Sequence, residues 1–156
     1  MLFRSQDADE LRLFGEWMLR IYSEFIVQQY VGNAECEYTV GVLCDMDGNL
    51  INSIAVRKNI LSALSCRMKI KSRFRDELLV ISNGITQGAI GRYDDVTAQC
   101  EEIALALGTR SASNIQLRFV DGKANVFEIN PRYSGTSSFC RSKRGYGGAT
   151  PCKPPQ

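Results

Sequence analysis

The sequence contains no histidine, and this absence excludes a catalytic Ser-His-Asp triad, which uses an imidazole as its general base. None of its six cysteines forms a Cys-x-x-Cys pair, so the close ligand pairs typical of structural zinc sites are missing. The amino terminus carries Asp7, Asp9 and Glu10 and does not resemble a signal peptide. We therefore expect reduced, buried thiols and a cytoplasmic protein.

Long apolar runs are also absent. No run approaches the roughly 18 residues that a membrane-spanning helix needs, so the sequence predicts no membrane partner. The formal net charge of +2 is too small to indicate nucleic-acid binding. The basic stretch between Arg57 and Arg75 has no interleaved aromatic residue beyond Phe74, which is more typical of a loop near anionic substrate groups than of a nucleic-acid interface.

The 156 residues, 44% of them apolar, can bury one core and predict a single domain. Apolar spacing predicts helices over residues 7–20 and 96–107, the second ending at Gly108. Strands are predicted over residues 24–31, 38–44, 50–56, 78–81, 114–119 and 126–132. Residues 59–75 fit no element. The pattern favours an α+β fold, with an antiparallel β-sheet flanked by helices.

The last two predicted strands form a hairpin around the turn Asp121-Gly122-Lys123. Because side chains alternate along a strand, Gln116, Glu128 and Asn130 can point from one face of this hairpin. A carboxylate between two amide oxygens suits a hard cation such as Mg²⁺. Interleaved apolar residues indicate that both strands are buried, where a Gln and a Glu need partners. The alternative is an ordinary polar face in water.

The strings Asn-Ile-Gln-Leu-Arg at 114–118 and Phe-Glu-Ile-Asn-Pro-Arg-Tyr-Ser-Gly-Thr-Ser-Ser at 127–138 resemble the carboxy-terminal half of an ATP-grasp domain. The similarity is closest to the large chain of carbamoyl phosphate synthetase and its relatives. The resemblance implies ATP as cofactor, with Mg²⁺, or Mn²⁺ as the alternative ion, held on its phosphates by Gln116, Glu128 and Asn130. It also implies that Arg132 assists phosphoryl transfer, and the guanidinium fork suits a phosphate.

The stretch from Glu24 to Val31, followed by a Gly-Asn-Ala turn, resembles the adenine hinge of the same family. The resemblance implies that the ribose hydroxyls bind Glu37, with Glu35 as the alternative because the turn is slightly longer than usual. Taken alone, both glutamates would be solvated charges at a strand start. The implied adenine-hinge residues are Gln28, Gln29, Tyr30 and Val31.

The resemblance covers residues 1–142, as the later lobe of an ATP-grasp domain that is incomplete at its amino-terminal side. Met1-Leu2-Phe3 resembles the last strand of the earlier lobe, which carries a Gly-rich flap and a lysine. Residues 143–156 are rich in Gly and Pro and are predicted to be disordered. Arg57 is a further candidate for facing the substrate, and the Ser-Gly loop at 134–138 for binding an anion.

Two functions follow from the resemblance. The first is the ATP- and Mg-binding portion of a carboxylate–amine ligase that forms an acyl phosphate, with small carboxylate and amine substrates and a partner chain that supplies the missing lobe. Bicarbonate, an amino acid and a peptide are equally open as the carboxylate. The second is a non-catalytic nucleotide-binding or interaction fragment. An exposed apolar face, normally covered by the other lobe, predicts self-association.

Overall fold

The computed structural model describes residues 4–62, 64–74, 76, 78–82 and 87–134. The predicted strand at residues 1–3, the predicted disordered tail at 143–156 and most of the Ser-Gly loop lie outside the described residues. The elements in chain order are α1 (Ala8–Leu19), a 3-10 turn (Ala34–Cys36), β1 (Glu37–Cys44), β2 (Leu50–Lys58), β3 (Cys66–Lys71), β4 (Leu78–Ser82), β5 (Gly88–Ile90), α2 (Asp94–Ala106), β6 (Ala112–Val120) and β7 (Lys123–Asn130).

Five strands form one antiparallel sheet in the order β5-β2-β1-β6-β7, and β3 and β4 form a separate antiparallel pair. The predicted α+β class with an antiparallel sheet is therefore confirmed. The hairpin between β6 and β7 turns at Asp121 and Gly122, whose φ angles are 51° and 74°. Two positive φ angles define the type I′ turn that matches the strand twist. Lys123 consequently belongs to β7 and not, as predicted, to the turn.

Helix α2 covers one face of the large sheet. Val96, Cys100 and Ala104 are buried at four-residue spacing and pack on a cluster of strand residues that includes Val40 and Ile115. This burial, chiefly through desolvation, raises the pKa of the Cys100 thiol to about 12. The predicted helix is confirmed, and it places a hydrophobic core under the middle strands.

The turn of the β6–β7 hairpin is attached to α2 by one side chain. The Gln99 side chain donates from Nε2 to the Gly122 carbonyl and accepts, at Oε1, from the backbone N–H of Ala124, both at 2.8 Å. A side-chain amide can donate and accept at the same time, so it satisfies one carbonyl in the turn and one N–H group at the start of β7. The helix therefore fixes the position of the hairpin that carries the candidate metal ligands.

The prediction of a strand over residues 24–31 is wrong, because this segment contains no strand in the structure. None of the described elements forms a β-ladder with it. Its apolar residues partly face outwards, and the Ile26 side chain is 84% exposed. Hydrophobic sequence alone cannot form a strand without a neighbouring backbone to pair with. Single contacts hold the segment instead, such as the bond from Gln28 Nε2 to the Phe127 carbonyl at 3.1 Å.

Two further boundaries differ from prediction. The basic stretch in which no element was predicted contains β3, which pairs with β4. Strand β2 continues two residues beyond its predicted end, to Lys58, because its last residues pair with β5. Neither α1 nor α2, the α-helices of the described part of the chain, is long and apolar enough to cross a membrane.

Candidate functional site

A cavity of about 700 Å³ lies between the segment of residues 24–31, which precedes the 3-10 turn, and the β6–β7 hairpin. Of the residues predicted for the adenine hinge, the ribose, the metal and phosphoryl transfer, Asn130 and the alternative ribose residue Glu35 do not line it. The lining residues with predicted roles are Gln28, Gln29, Tyr30, Val31, Glu37, Gln116, Glu128 and Arg132. The fold therefore brings the predicted hinge and the predicted metal hairpin, which lie almost ninety residues apart in sequence, to one concave surface.

The candidate metal ligands share one face of the hairpin. Gln116 and Glu128 are direct partners in the β6–β7 register, and Asn130 lies two residues beyond Glu128. The Asn130 amide donates from Nδ2 to Glu128 Oε1 at 2.5 Å, so these side chains touch. Within the described residues, no three His, Cys, Asp or Glu side chains form a metal-binding cluster. A cation site here would use one carboxylate and two amide oxygens, a donor set that fits a hard divalent cation.

The expected burial of both hairpin strands holds only for β6. Ile115 and Leu117 on β6 are fully buried, whereas Glu128 and Ile129 on β7 are exposed. The reason is topological, because among the described strands β7 lies at the edge of the sheet and pairs with β6 alone. Glu128 therefore faces solvent and a potential ligand rather than the protein interior.

Lys58 does not itself line the cavity, but it lies against two residues that do, Gln116 and Glu37. The sequence did not single it out as a site residue. The Lys58 Nζ donates to Gln116 Oε1 at 2.6 Å and to Glu37 Oε1 at 3.2 Å. Arg57, the predicted substrate-facing candidate, is exposed and does not line the cavity. Successive side chains on a strand point to opposite faces, and β2 extends to Lys58. The alternation therefore directs Lys58, not Arg57, towards the site.

Arg118 is the second residue that sequence reasoning missed. Its Nε and Nη2 both donate to Glu37 Oε2 at 3.3 Å, and its Nη1 donates to the Val31 carbonyl at 3.0 Å. The guanidinium carbon lies 4.1 Å from the centre of the Tyr30 ring, a cation–π distance. Arg118 follows Gln116 by two residues, so it projects from the same face of β6 and joins the hinge segment to the hairpin.

Glu37, rather than Glu35, faces the cavity. Glu35 is exposed in the 3-10 turn, whereas Glu37 is 5% exposed and lies between Lys58, which is 8% exposed, and Arg118, which is 4% exposed. One carboxylate thus pairs with two nearly buried cations. This arrangement leaves a net positive charge beside the cavity.

Further arginines make the cavity cationic. Arg4, Arg67, Arg118 and Arg132 line it against two carboxylates, Glu37 and Glu128. Arg4 lies 4.8 Å from the Tyr30 ring centre, and its Nε is buried with no hydrogen-bond partner in the described part of the chain. Desolvation, followed by repulsion from Arg118, lowers the pKa of Arg4. An excess of positive charge around a concave surface favours an anionic ligand.

Comparison with known proteins finds a sequence match over most of the chain. The chain is 32% identical over 142 residues to the carbamoyl phosphate synthase large chain of Halobacterium salinarum, a match that covers 89% of this chain and 12% of that relative. No protein-family model matches the chain. The chain therefore spans about an eighth of the length of this relative.

Two solved structures of Bacillus anthracis D-alanine–D-alanine ligase are also similar, each 18% identical and each over 80% of this chain and 37% of theirs. The structure described as complexed with ATP has a TM-score of 0.49, and the other has a TM-score of 0.44. The sequence match and the motif strings in this α+β fold show that the chain belongs to the ATP-grasp superfamily. Within that superfamily, it is similar to part of the carbamoyl phosphate synthase large chain.

Proposed function

We propose that this chain is the ATP- and Mg-binding portion of an ATP-dependent carboxylate–amine ligase of the carbamoyl phosphate synthase type. The observation that carries this proposal is the single cationic cavity lined by the hinge segment, by Glu37 and by the β6–β7 hairpin. A polyphosphate nucleotide matches the excess of positive charge around it. No residue of α1 lines this cavity, and the apolar surface of α1, formed by the exposed Leu11, Leu13, Trp17 and Leu19, lies outside it.

The nucleotide would lie along the cavity from the hinge to the hairpin. The adenine edge would face the backbone of residues 28–31, and the ribose would lie beside Glu37. The Glu37 carboxylate already accepts three hydrogen bonds, one from Lys58 and two from Arg118. Because an ionised carboxylate offers about four acceptor sites, one remains for a ribose hydroxyl. Glu37 would therefore serve both as a counter-charge and as a ribose ligand.

The hairpin would hold the cation and the phosphates. Gln116, Glu128 and Asn130 would bind Mg²⁺, which when bound would screen the charge of the ATP phosphates. The Arg132 guanidinium donates one hydrogen bond, from Nη1 to the Tyr133 carbonyl at 3.2 Å. Because a guanidinium has five N–H donors, Arg132 retains donors that can contact a phosphate. Arg132 would thereby stabilise negative charge on the phosphoryl group during transfer.

In the proposed reaction, a carboxylate oxygen attacks the γ-phosphorus of ATP, the bond from that phosphorus to the bridging oxygen breaks, and ADP leaves. The amine then attacks the acyl carbon and displaces inorganic phosphate, with loss of a proton from nitrogen. The described residues contribute binding, orientation and charge stabilisation. The carboxylate and amine sites, and the lysine that completes the phosphate site, would come from a partner chain or from another part of a longer protein.

Isothermal titration of ATP, with and without Mg²⁺, tests this proposal on the wild-type chain and on Glu128→Gln and Asn130→Ala. We expect Mg²⁺-dependent binding that weakens at least about tenfold in both variants, the size of one lost charged contact. Asp121→Asn is the matched control, because it makes a carboxylate-to-amide change on the same hairpin at the exposed turn. Circular dichroism would verify that each variant is folded.

Two outcomes would contradict the proposal. The first is ATP binding that is equally tight with and without Mg²⁺ and in all variants, which would remove the hairpin from the nucleotide site. The second is a folded wild-type chain that does not bind millimolar ATP. This second outcome would favour the alternative function, a non-catalytic interaction fragment, because the apolar surface of α1 would then be the remaining candidate binding surface.

A further inference from the structure

The positively charged Lys58 ammonium donates a hydrogen bond to Gln116 Oε1, an oxygen that is a candidate ligand of the cation. The donor and acceptor atoms lie 2.6 Å apart. A magnesium–oxygen bond is about 2.1 Å long, so a metal ion on that oxygen would lie within about 4.7 Å of the ammonium. Two cations at this distance in a partly buried site repel each other strongly. Occupation of Gln116 by a divalent cation therefore requires either that Lys58 move or that an anion lie between the two charges.

The charge cluster of Glu37, Lys58 and Arg118 has one negative charge fewer than its positive charges. Lys58 and Arg118 share a single carboxylate, Glu37, and all three side chains are almost completely buried. Buried charges are stable when they are paired and hydrogen-bonded. A further anion beside Lys58 would complete the pairing. A phosphate group of ATP has the required charge and is the ligand that the cavity would hold.

Arg118 and Lys58 both keep N–H donors beyond their described hydrogen bonds, but Lys58 is the residue that can move towards that anion. Arg118 uses Nε, Nη1 and Nη2 on Glu37 and Val31, and its guanidinium faces the Tyr30 ring. The Lys58 ammonium has three N–H groups and two acceptors among the described residues. Its flexible stem also allows the ammonium to shift by an ångström or more while it keeps the contact with Glu37.

We propose that Lys58 is a phosphate-binding residue of the ATP site, and that its ammonium stays hydrogen-bonded to Gln116 as long as no nucleotide is bound. This inference rests on the proposed function. It means that the site discriminates against a free divalent cation, because Lys58 competes for Gln116. It also means that metal and nucleotide bind cooperatively, because the phosphates draw Lys58 away from that oxygen. Lys58 thus couples the metal site to the nucleotide.

Binding of three probes to Lys58→Met tests this role: Mn²⁺ alone by electron paramagnetic resonance, and Mg-ATP and adenosine by calorimetry. We expect Mn²⁺ alone to bind about tenfold more tightly, since the competing charge is gone. Mg-ATP should bind about tenfold more weakly, and adenosine, which lacks phosphates, should bind as it does to wild type. Lys123→Met, at the exposed start of β7, is the matched control and should match wild type with every probe.

Lys58→Gln is a second variant in case Lys58→Met does not fold. Its amide can still donate to Glu37 and Gln116, so it preserves the hydrogen bonds without the charge, and we expect the same opposite changes. A purely structural role would weaken all three probes together, and that result would overturn the inference while leaving the proposed function intact. A folded wild-type chain that binds neither Mg-ATP nor adenosine would instead reject the proposed nucleotide site, and this inference with it.

Discussion

Because one carboxylate pairs with two buried cations, the substitution Glu37→Gln is the sharpest test of the described structure. Glu37 contacts the Lys58 ammonium at 3.2 Å and the Arg118 guanidinium at 3.3 Å. A glutamine has nearly the same shape but carries no charge. It also offers one oxygen where the carboxylate offers two, so its amide NH₂ group must face the N–H groups of Lys58 or Arg118. The substitution therefore leaves two nearly buried cations without a counter-charge.

The expected loss of stability is large. At an effective dielectric constant of about 20, each ion pair at these distances corresponds to roughly 5 kcal/mol of gross Coulomb attraction, much of which is offset by desolvation. Removal of one partner from a buried ion pair typically costs about 3–5 kcal/mol. In a chain of this size, each kcal/mol corresponds to about 2–4 °C in Tm. We therefore expect Glu37→Gln to lower Tm by at least about 6 °C.

Thermal and urea unfolding followed by circular dichroism measure this loss. Glu35→Gln is the matched control, because the same change two residues earlier is exposed and should alter the free energy of unfolding by no more than about 0.5 kcal/mol. The double variant Glu37→Gln/Lys58→Met should recover part of the loss, since one of the two uncompensated cations is removed. If Glu37→Gln unfolds within about 1 kcal/mol of Glu35→Gln, the buried charge cluster described here is refuted.

Two further predictions concern the sheet and the core. In Gly88→Ala the new Cβ would lie 2.2 Å from the Arg57 carbonyl oxygen, so β5 must separate from β2. We expect the free energy of unfolding in urea to fall by about 1–3 kcal/mol. Gly41→Ala is the control, because its Cβ meets its nearest neighbour at 3.5 Å, and equal losses in the two variants would contradict this packing. Burial raises the pKa of Cys100 from 9.0 to about 12, so its contribution to stability is complete below pH 9.0 and is lost as the pH rises towards about 12. The urea midpoint should therefore fall more steeply between about pH 8 and about pH 10.5 in wild type than in Cys100→Ala, and parallel profiles would show that the thiol is not buried as described.

Much of the hairpin could be predicted from the sequence, because its structure depends on local rules. An Asp-Gly pair between alternating strands favours a tight turn. Four-residue spacing likewise predicted the buried face of α2. The turn and the helix face depend on neighbours within a few residues, so composition and period were sufficient for them. The pairing of Gln116 with Glu128 does not follow from the period alone. Across a two-residue turn, strict alternation would oppose Gln116 to Phe127, and a register shift between Gln116 and Leu117 brings Glu128 opposite Gln116 instead.

Contacts between residues that lie far apart in the sequence could be identified only from the tertiary structure. Lys58 and Gln116 are separated by 58 positions, and Arg118 and Val31 by 87, so no local pattern indicates that they meet. The exposed position of β7 and the unpaired segment 24–31 have the same cause, since strand pairing depends on which backbones lie side by side. By itself, the sequence determined the turn, the periodicities and the set of candidate oxygen ligands. Only the tertiary structure decided which cations share one carboxylate, because burial and charge pairing depend on how the elements pack.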